Sequence, residues 1–212
     1  MVGEGVMQEC IESPLVKEIV LLNRRASGHH HSKIREIICT DLMNTAEVQS
    51  QLTGLDACFF CLGISSVGKK EDEYTRTTYE LTISIAKTLI NQNPQMQFHY
   101  ISGAGTDSSE KGKSMWAKVK GMTENKLMQM GFSKCFRWRP GILLPDKPLK
   151  NTLKYYHYVG PLLRFIMFII PASGSKLSVL GKAMIAACSL ELEDQKCYEV
   201  KDIRKTSQLL EA

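Results

Sequence analysis

The strongest constraint on the fold is a rhythm. Short, predominantly apolar runs take turns with longer segments of helical period. The apolar runs fall at 17–23, 34–39, 57–62, 96–101 and 135–138. A strand with one wet face alternates polar and apolar residues, whereas a strand covered on both faces is apolar throughout. The intervening segments supply the cover. Residues 2–11 read as a helix stopped by Ser13-Pro14, 45–52 as a short one, and 114–130 as one closed by Gly131. Residues 71–92 place Tyr74, Thr78, Leu81, Ile85 and Leu89 at steps of three and four, giving one apolar face. The pattern predicts an α/β chain built on a doubly wound, mostly parallel sheet.

Composition narrows the class further. With 43 % hydrophobic and 23 % charged residues, the 212-residue chain is neither a disordered tail nor a coiled coil. A net charge of +5 is too small to argue for nucleic acid. Seven irregularly spaced cysteines in a chain of this length, with Glu4, Glu9 and Glu12 breaking any signal-like apolar run, predict a reducing, cytoplasmic setting.

In such sheets ligands bind at the carboxyl ends of the strands. Asn23-Arg24-Arg25 follows the first visible strand, where an acidic residue would favour a free ribose 2′-OH and arginine accommodates a 2′-phosphate. Two arginines therefore point to NADP(H) over NAD. Asp41, after the second strand, reads equally as an adenine contact and as a cap of the Asn44-Thr45 turn. Leu62-Gly63 after the third offers backbone that a flat cofactor can approach closely. Ser102 follows the fourth strand, and Pro140-Gly141 follows the fifth.

The pieces NRR, ACFFCLG, YISGAGTDS, WAKVKG and RPG, in this order, resemble the atypical short-chain dehydrogenase/reductase-like NAD(P)H-binding proteins of the NAD-dependent epimerase/dehydratase-like Rossmann group. The resemblance covers residues 1–145, the expected dinucleotide-binding domain. Residues 146–212 are expected to form a small, largely helical cap on the same domain. The family pattern opens with an apolar strand and G-A-T-G-x-x-G. Here Gly3 aligns with the last glycine and nothing aligns with the rest, so the sequence reads as N-terminally truncated, with the first and central strand missing. The resemblance implies cofactor contacts at Gly3, Asn23, Arg24, Arg25, Asp41, Leu62, Gly63, Lys120, Pro140 and Gly141.

Catalysis in the family uses Ser with Tyr-x-x-x-Lys. The register places Ser102 and Lys120 at the serine and lysine, but Trp116 at the tyrosine. An indole N–H only donates and does not titrate usefully, so Trp116 cannot shuttle the proton. The resemblance implies an oxidoreductase-like protein, transferring hydride to a small-molecule carbonyl substrate if it is active. The alternative is a non-enzymatic cofactor-sensing or partner-binding scaffold, or an inactive truncated form.

Other signals are weaker. Cys58-Phe-Phe-Cys61 lacks a second pair for zinc, and residues three apart on a strand face opposite ways. His29-His30-His31 has no accompanying ligand pattern, so no metal site is expected. Lys147, Lys150 and Lys154 with Tyr155, Tyr156 and Tyr158 read as a solvated helix face. The run from Pro161 to Ile170 is too short to span a bilayer and is interrupted by Arg164. It reads as a buried helix or one meeting a membrane surface or a protein partner.

Overall fold

A computed structural model describes residues 1–151 and 156–210, with the side chains of 156–158 outside that set. The expected solvated face at Lys154, Tyr155, Tyr156 and Tyr158 therefore lies outside the described side chains. The elements run α1 (Val2–Glu12), β1 (Ile19–Asn23), β2 (Ile34–Ile38), β3 (Ala57–Phe60), α2 (Glu71–Thr75), α3 (Leu81–Gln92), β4 (Gln97–Ile101), α4 (Met115–Met128) and β5 (Lys134–Arg139). They continue with β6 (Ile142–Leu144), α5 (Tyr156–Ile169), β7 (Gly174–Lys176), α6 (Leu177–Ser189), β8 (Cys197–Glu199) and α7 (Val200–Gln208).

Every strand pair is parallel. The helices cover both faces, as the apolar strands require. Ile83, Ile85, Ala86 and Leu89 of α3 and Leu127 of α4 bury one face against Phe60, Phe98 and Tyr100. Val6 and Cys10 of α1, Leu180 and Met184 of α6 and Ile203 of α7 bury the other against Phe136 and Trp138. Cys58 joins the first cluster and Cys61 the second, as strand alternation dictates.

The sheet is split between β1 and β3. β1 pairs only with β2, and β3 begins a separate ladder in the order β3-β4-β5-β8. Among the described residues no ladder joins β1 to β3. Side chains bridge the interruption instead. Val20 and Leu22 share a cluster with Cys58 and Phe60 on one face, while Ile19 shares one with Phe59 on the other.

Two local expectations change. The helix over 71–92 carries a π-helical turn at Arg76–Glu80. Thr77 donates its hydroxyl to the Glu73 carbonyl at 2.9 Å and Thr82 donates to that of Thr78, side-chain competition of the kind that opens a helical ladder. The short helix expected over 45–52 reduces to a 3-10 turn at Gln49–Gln51. There Asp41 and Asn44 accept the Met43 and Ala46 amides at 2.9 and 3.3 Å, which favours turns over helix.

The C-terminal segment is not purely helical. It returns β7 to pair with β6 and β8 to extend the main sheet beside β5. α6 lies close against α1 because glycines face each other's helix. A Cβ at Gly181 would come within 2.6 Å of Glu9 Cγ, and one at Gly5 within 3.0 Å of Leu177 Cβ. The outward face of α5 is exposed, so this apolar helix is not a wall of the core.

Candidate functional site

The predicted residues fall into three groups at the carboxyl ends of the strands. The first is the end of β1. Arg24 and Arg25 are exposed, and neither guanidinium has an ion pair among the described residues. Asn23 is occupied differently: its amide donates to Glu36 Oε1 at 2.7 Å, and the Ser27 backbone N–H donates to the same oxygen at 2.9 Å. Burial raises the Glu36 carboxyl, but these bonds outweigh it and leave the carboxyl below its ordinary value. Asn23 thus braces the loop that presents the arginines. Asp41 is exposed and its Oδ1 takes the Met43 amide, which is the turn-capping geometry.

The second group gathers where β3 meets α1. A Cβ on Gly3 would stand 3.2 Å from Cys61 Cβ, so glycine lets the start of α1 approach the end of β3. Leu62 and Ile64 are exposed, and a Cβ at Gly63 would meet nothing within 4 Å. This loop is open beside a helix start, whose first N–H groups have no carbonyl in the preceding turn. The loop after β1 reaches the same helix, with His29 Nε2 3.5 Å from Glu4 Oε1. Glu4 also accepts the Lys150 and Asn151 amides at 2.6 and 2.9 Å. Burial raises its carboxyl, and those bonds more than offset it, leaving the group below its usual value.

The third group lies at the ends of β4 and β5. Ser102 is buried, and its hydroxyl proton is shared between Glu124 Oε1 at 2.5 Å and the Trp138 carbonyl at 3.1 Å. Lys120 does not point to a free site either. Its ammonium donates to the Ser102 carbonyl and to that of Ile101 at 3.4 Å, 5.9 Å from the centre of the Tyr100 ring. Burial lowers its pKa to about 8, against a partly compensating pull from Glu124. Trp116 packs its ring edge toward Gly105, 3.5 Å from where a Cβ would be.

Pro140 and Gly141 serve as joints. The Pro140 carbonyl accepts the Ala104 amide at 2.8 Å. A Cβ on Gly141 would lie 2.1 Å from the Ser173 carbonyl oxygen, so that glycine is required by backbone packing.

Sequence reasoning missed the residues that organise this third group. Glu124 is fully buried and pairs with Arg139, which donates from Nε at 3.0 Å and from Nη2. Arg139 also donates to the Ser108 hydroxyl. The available signal was helical spacing: Trp116, Lys120 and Glu124 stand at steps of four on α4, one stripe facing the strand ends.

Comparisons with known proteins agree with this architecture. No protein-family model matches the chain. Protein fmp52, mitochondrial, of Emericella nidulans is 25 % identical over 198 residues, covering 88 % of this chain and 82 % of that protein. Protein HTATIP2 of Rattus norvegicus is 24 % identical over 149 residues, covering 68 % of this chain and 60 % of that protein's length. Among solved structures, a UDP-glucose 4-epimerase from Thermotoga maritima with UDP-glucose aligns with a TM-score of 0.65 at 12 % identity, covering 99 % of this chain and 79 % of that one. The Bordetella bronchiseptica enzyme WbmH, in complex with NAD+, aligns at 0.63 and 14 % identity, covering 97 % and 76 %. The fold is the Rossmann-type fold of the short-chain-dehydrogenase-like epimerases and dehydratases. The sequence resembles the atypical members of that group.

Proposed function

We propose that this short-chain-dehydrogenase-like Rossmann protein binds NADP(H) through the ends of β1 and β3, without the proton relay of a conventional reductase. The observation that carries the reading is the pair Arg24–Arg25, exposed and unpaired among the described residues, while the acid beside them is occupied by Asn23 and Ser27. Two free guanidinium groups suit a 2′-phosphate. Gly3 at the start of α1 and the open Leu62–Gly63 loop would lie along the rest of the dinucleotide. The cofactor, when bound, supplies or accepts hydride.

Among the described residues no side chain at the expected nicotinamide end stands out as a matching proton donor. Trp116 stands at the tyrosine position, Ser102 is tied to Glu124, and Lys120 is held by backbone carbonyls. A binding or sensing role therefore fits better than carbonyl reduction. The seven cysteines, all free thiols, suit a reducing compartment.

Fluorescence titration with NADPH and NADH tests the reading. NADPH should bind more tightly, and Arg24→Ala with Arg25→Ala should remove the preference. A bond to a charged group contributes about 1.5–3 kcal/mol, or about 10- to 100-fold in affinity. Equal affinities for the two nucleotides, or an unchanged preference in the variant, would overturn it. With NADPH and a panel of aldehydes and ketones, turnover should stay at background. Robust turnover abolished by Lys120→Ala would restore the reductase reading.

A further inference from the structure

A surface helix normally turns its apolar stripe to the core and its polar stripe to water. α5 is apolar on its outward face as well as its inward one. Gly160 is buried and Leu163, Ile166 and Met167 are half-buried. The opposite face presents Leu162 at 59 %, Phe165 at 60 %, Phe168 at 83 % and Ile169 at 60 % exposure, followed by Ile170 at 55 %. Those positions follow the three- and four-residue steps of one helical face, so the side chains form a continuous apolar stripe. Exposed apolar patches of this kind mark interaction sites.

The surrounding charge says what kind of surface would cover it. From Lys147 through Leu190 the sequence contains no aspartate or glutamate, but it does contain Lys147, Lys150, Lys154, Arg164, Lys176 and Lys182. Lys147 is neutralised by Glu9 and Glu12. Arg164 and Lys176 are exposed and have no ion pair among the described residues. A two-fold contact with a second copy would bring identical acid-free, basic segments together, which is repulsive. An anionic lipid surface matches both the apolar stripe and the charge.

Length decides between lying on a bilayer and crossing it. Fourteen residues in α5 give about 21 Å of helix, short of the ~30 Å hydrocarbon core. Among the described residues no helix is long and apolar enough to span. We propose that α5 is a membrane-surface docking element. It seats Leu162, Phe165, Phe168 and Ile169 at the boundary between headgroups and acyl chains, with Arg164 and Lys176 among anionic headgroups.

The test is co-sedimentation of the full chain with vesicles of phosphatidylcholine alone and of phosphatidylcholine doped with phosphatidylserine, alongside sedimentation velocity without lipid. The chain should bind the anionic vesicles, less so as salt rises, and remain monomeric without lipid. Phe165→Ser with Phe168→Ser should abolish binding. Arg164→Glu should weaken it by about tenfold or more on anionic vesicles. All these side chains are exposed, so unchanged melting confirms that the variants fold. No binding to either vesicle, binding unaffected by the serine substitutions, or self-association that those substitutions abolish would overturn the proposal. The last outcome would assign the stripe to a second copy of the chain.

Discussion

Removing the Glu124 carboxylate should destabilise the chain more than any substitution at its surface. Glu124 is fully buried, and its oxygens accept from Ser102 Oγ at 2.5 Å, from Arg139 Nε at 3.0 Å and from Arg139 Nη2. The Arg139 side chain is only 11 % exposed. Glu124→Ala leaves that guanidinium without its counter-charge and Ser102 without its nearest acceptor. Breaking a buried pair from one side costs about 3–5 kcal/mol. A domain has about 5–15 kcal/mol in total, so the loss is a large fraction of it. At about 2–4 °C per kcal/mol for a chain of this size, melting should fall by about 6–20 °C. Urea unfolding followed by tryptophan fluorescence reads the change, since Trp138 is fully buried beside the network. The control is Glu124→Leu with Arg139→Met, which removes both charges and should recover most of the loss. The reasoning fails if Glu124→Ala costs less than about 1 kcal/mol, or if the double variant is less stable than the single one.

Three further outcomes follow from particular contacts. Gly121→Ala should destabilise by about 1–3 kcal/mol, because its Cβ would stand 1.8 Å from the Asp107 carbonyl oxygen. Gly63→Ala, with nothing within 4 Å, should melt within a degree or two of the parent, and thermal melts of the pair check the contrast. Lys120 has a folded pKa of about 8 against an ordinary 10.5, so the unfolded chain binds the extra proton between those values. Its contribution to stability therefore rises with pH across that window. The buried thiols of Cys10, Cys58, Cys61, Cys135 and Cys188 are shifted upward and act in the opposite sense above their ordinary value. The readout is thus the difference between parent and Lys120→Met in urea unfolding from pH 7 to 10, and a flat difference would refute the shift. Fusing an apolar strand and a G-A-T-G-x-x-G turn ahead of the chain, with Gly3 as the last glycine, should raise both melting temperature and NADPH affinity. Equal values for the two forms would show that the interruption between β1 and β3 has no energetic consequence.

The strands were legible because a doubly covered sheet leaves one compositional mark, predominantly apolar runs, and 19–22 and 57–60 carry it most clearly. Gly131 was legible for a similar reason: its φ of 86° is a conformation that favours glycine at a helix end. The Glu124–Arg139 pair was not. Its members sit on different elements and meet only when α4 packs beside the end of β5, so helical spacing can point to Glu124 but no local pattern pairs it with Arg139. Gly141 was only partly legible because a glycine at a strand end serves equally to admit a cofactor and to admit another backbone. Here the Ser173 carbonyl supplies a backbone reason for the glycine. The exposure of α5 stood as one of two open readings, because apolarity reads as a demand for cover without saying what provides it.

The interrupted sheet and the divided candidate site bear on one another. Arg24 and Arg25 stand on the two-stranded part, while Leu62, Gly63, Ser102 and Lys120 belong to the four-stranded part. No ladder bond joins the two parts among the described residues. Val20 and Leu22 reach Phe60 on one face and Ile19 reaches Phe59 on the other, while α1 touches both through Glu4–His29 and Gly3–Cys61. Apolar packing is non-directional and holds register less strictly than a ladder does. A dinucleotide gripped by the arginines at one end and the Leu62–Gly63 loop at the other would bridge the interruption. A ligand that binds only the folded chain stabilises it by RT ln(1 + [L]/Kd), about 2.7 kcal/mol at a hundredfold excess over Kd. NADPH should therefore raise the melting temperature of the parent chain. In Arg24→Ala with Arg25→Ala a 10- to 100-fold loss of affinity should cut that gain to about 0.4–1.4 kcal/mol at the same NADPH concentration, while ligand-free melting stays unchanged, because neither guanidinium has an ion pair among the described residues. A variant that also melts lower without ligand would mean that the arginines serve the fold, and the case for a phosphate site at the end of β1 would fall.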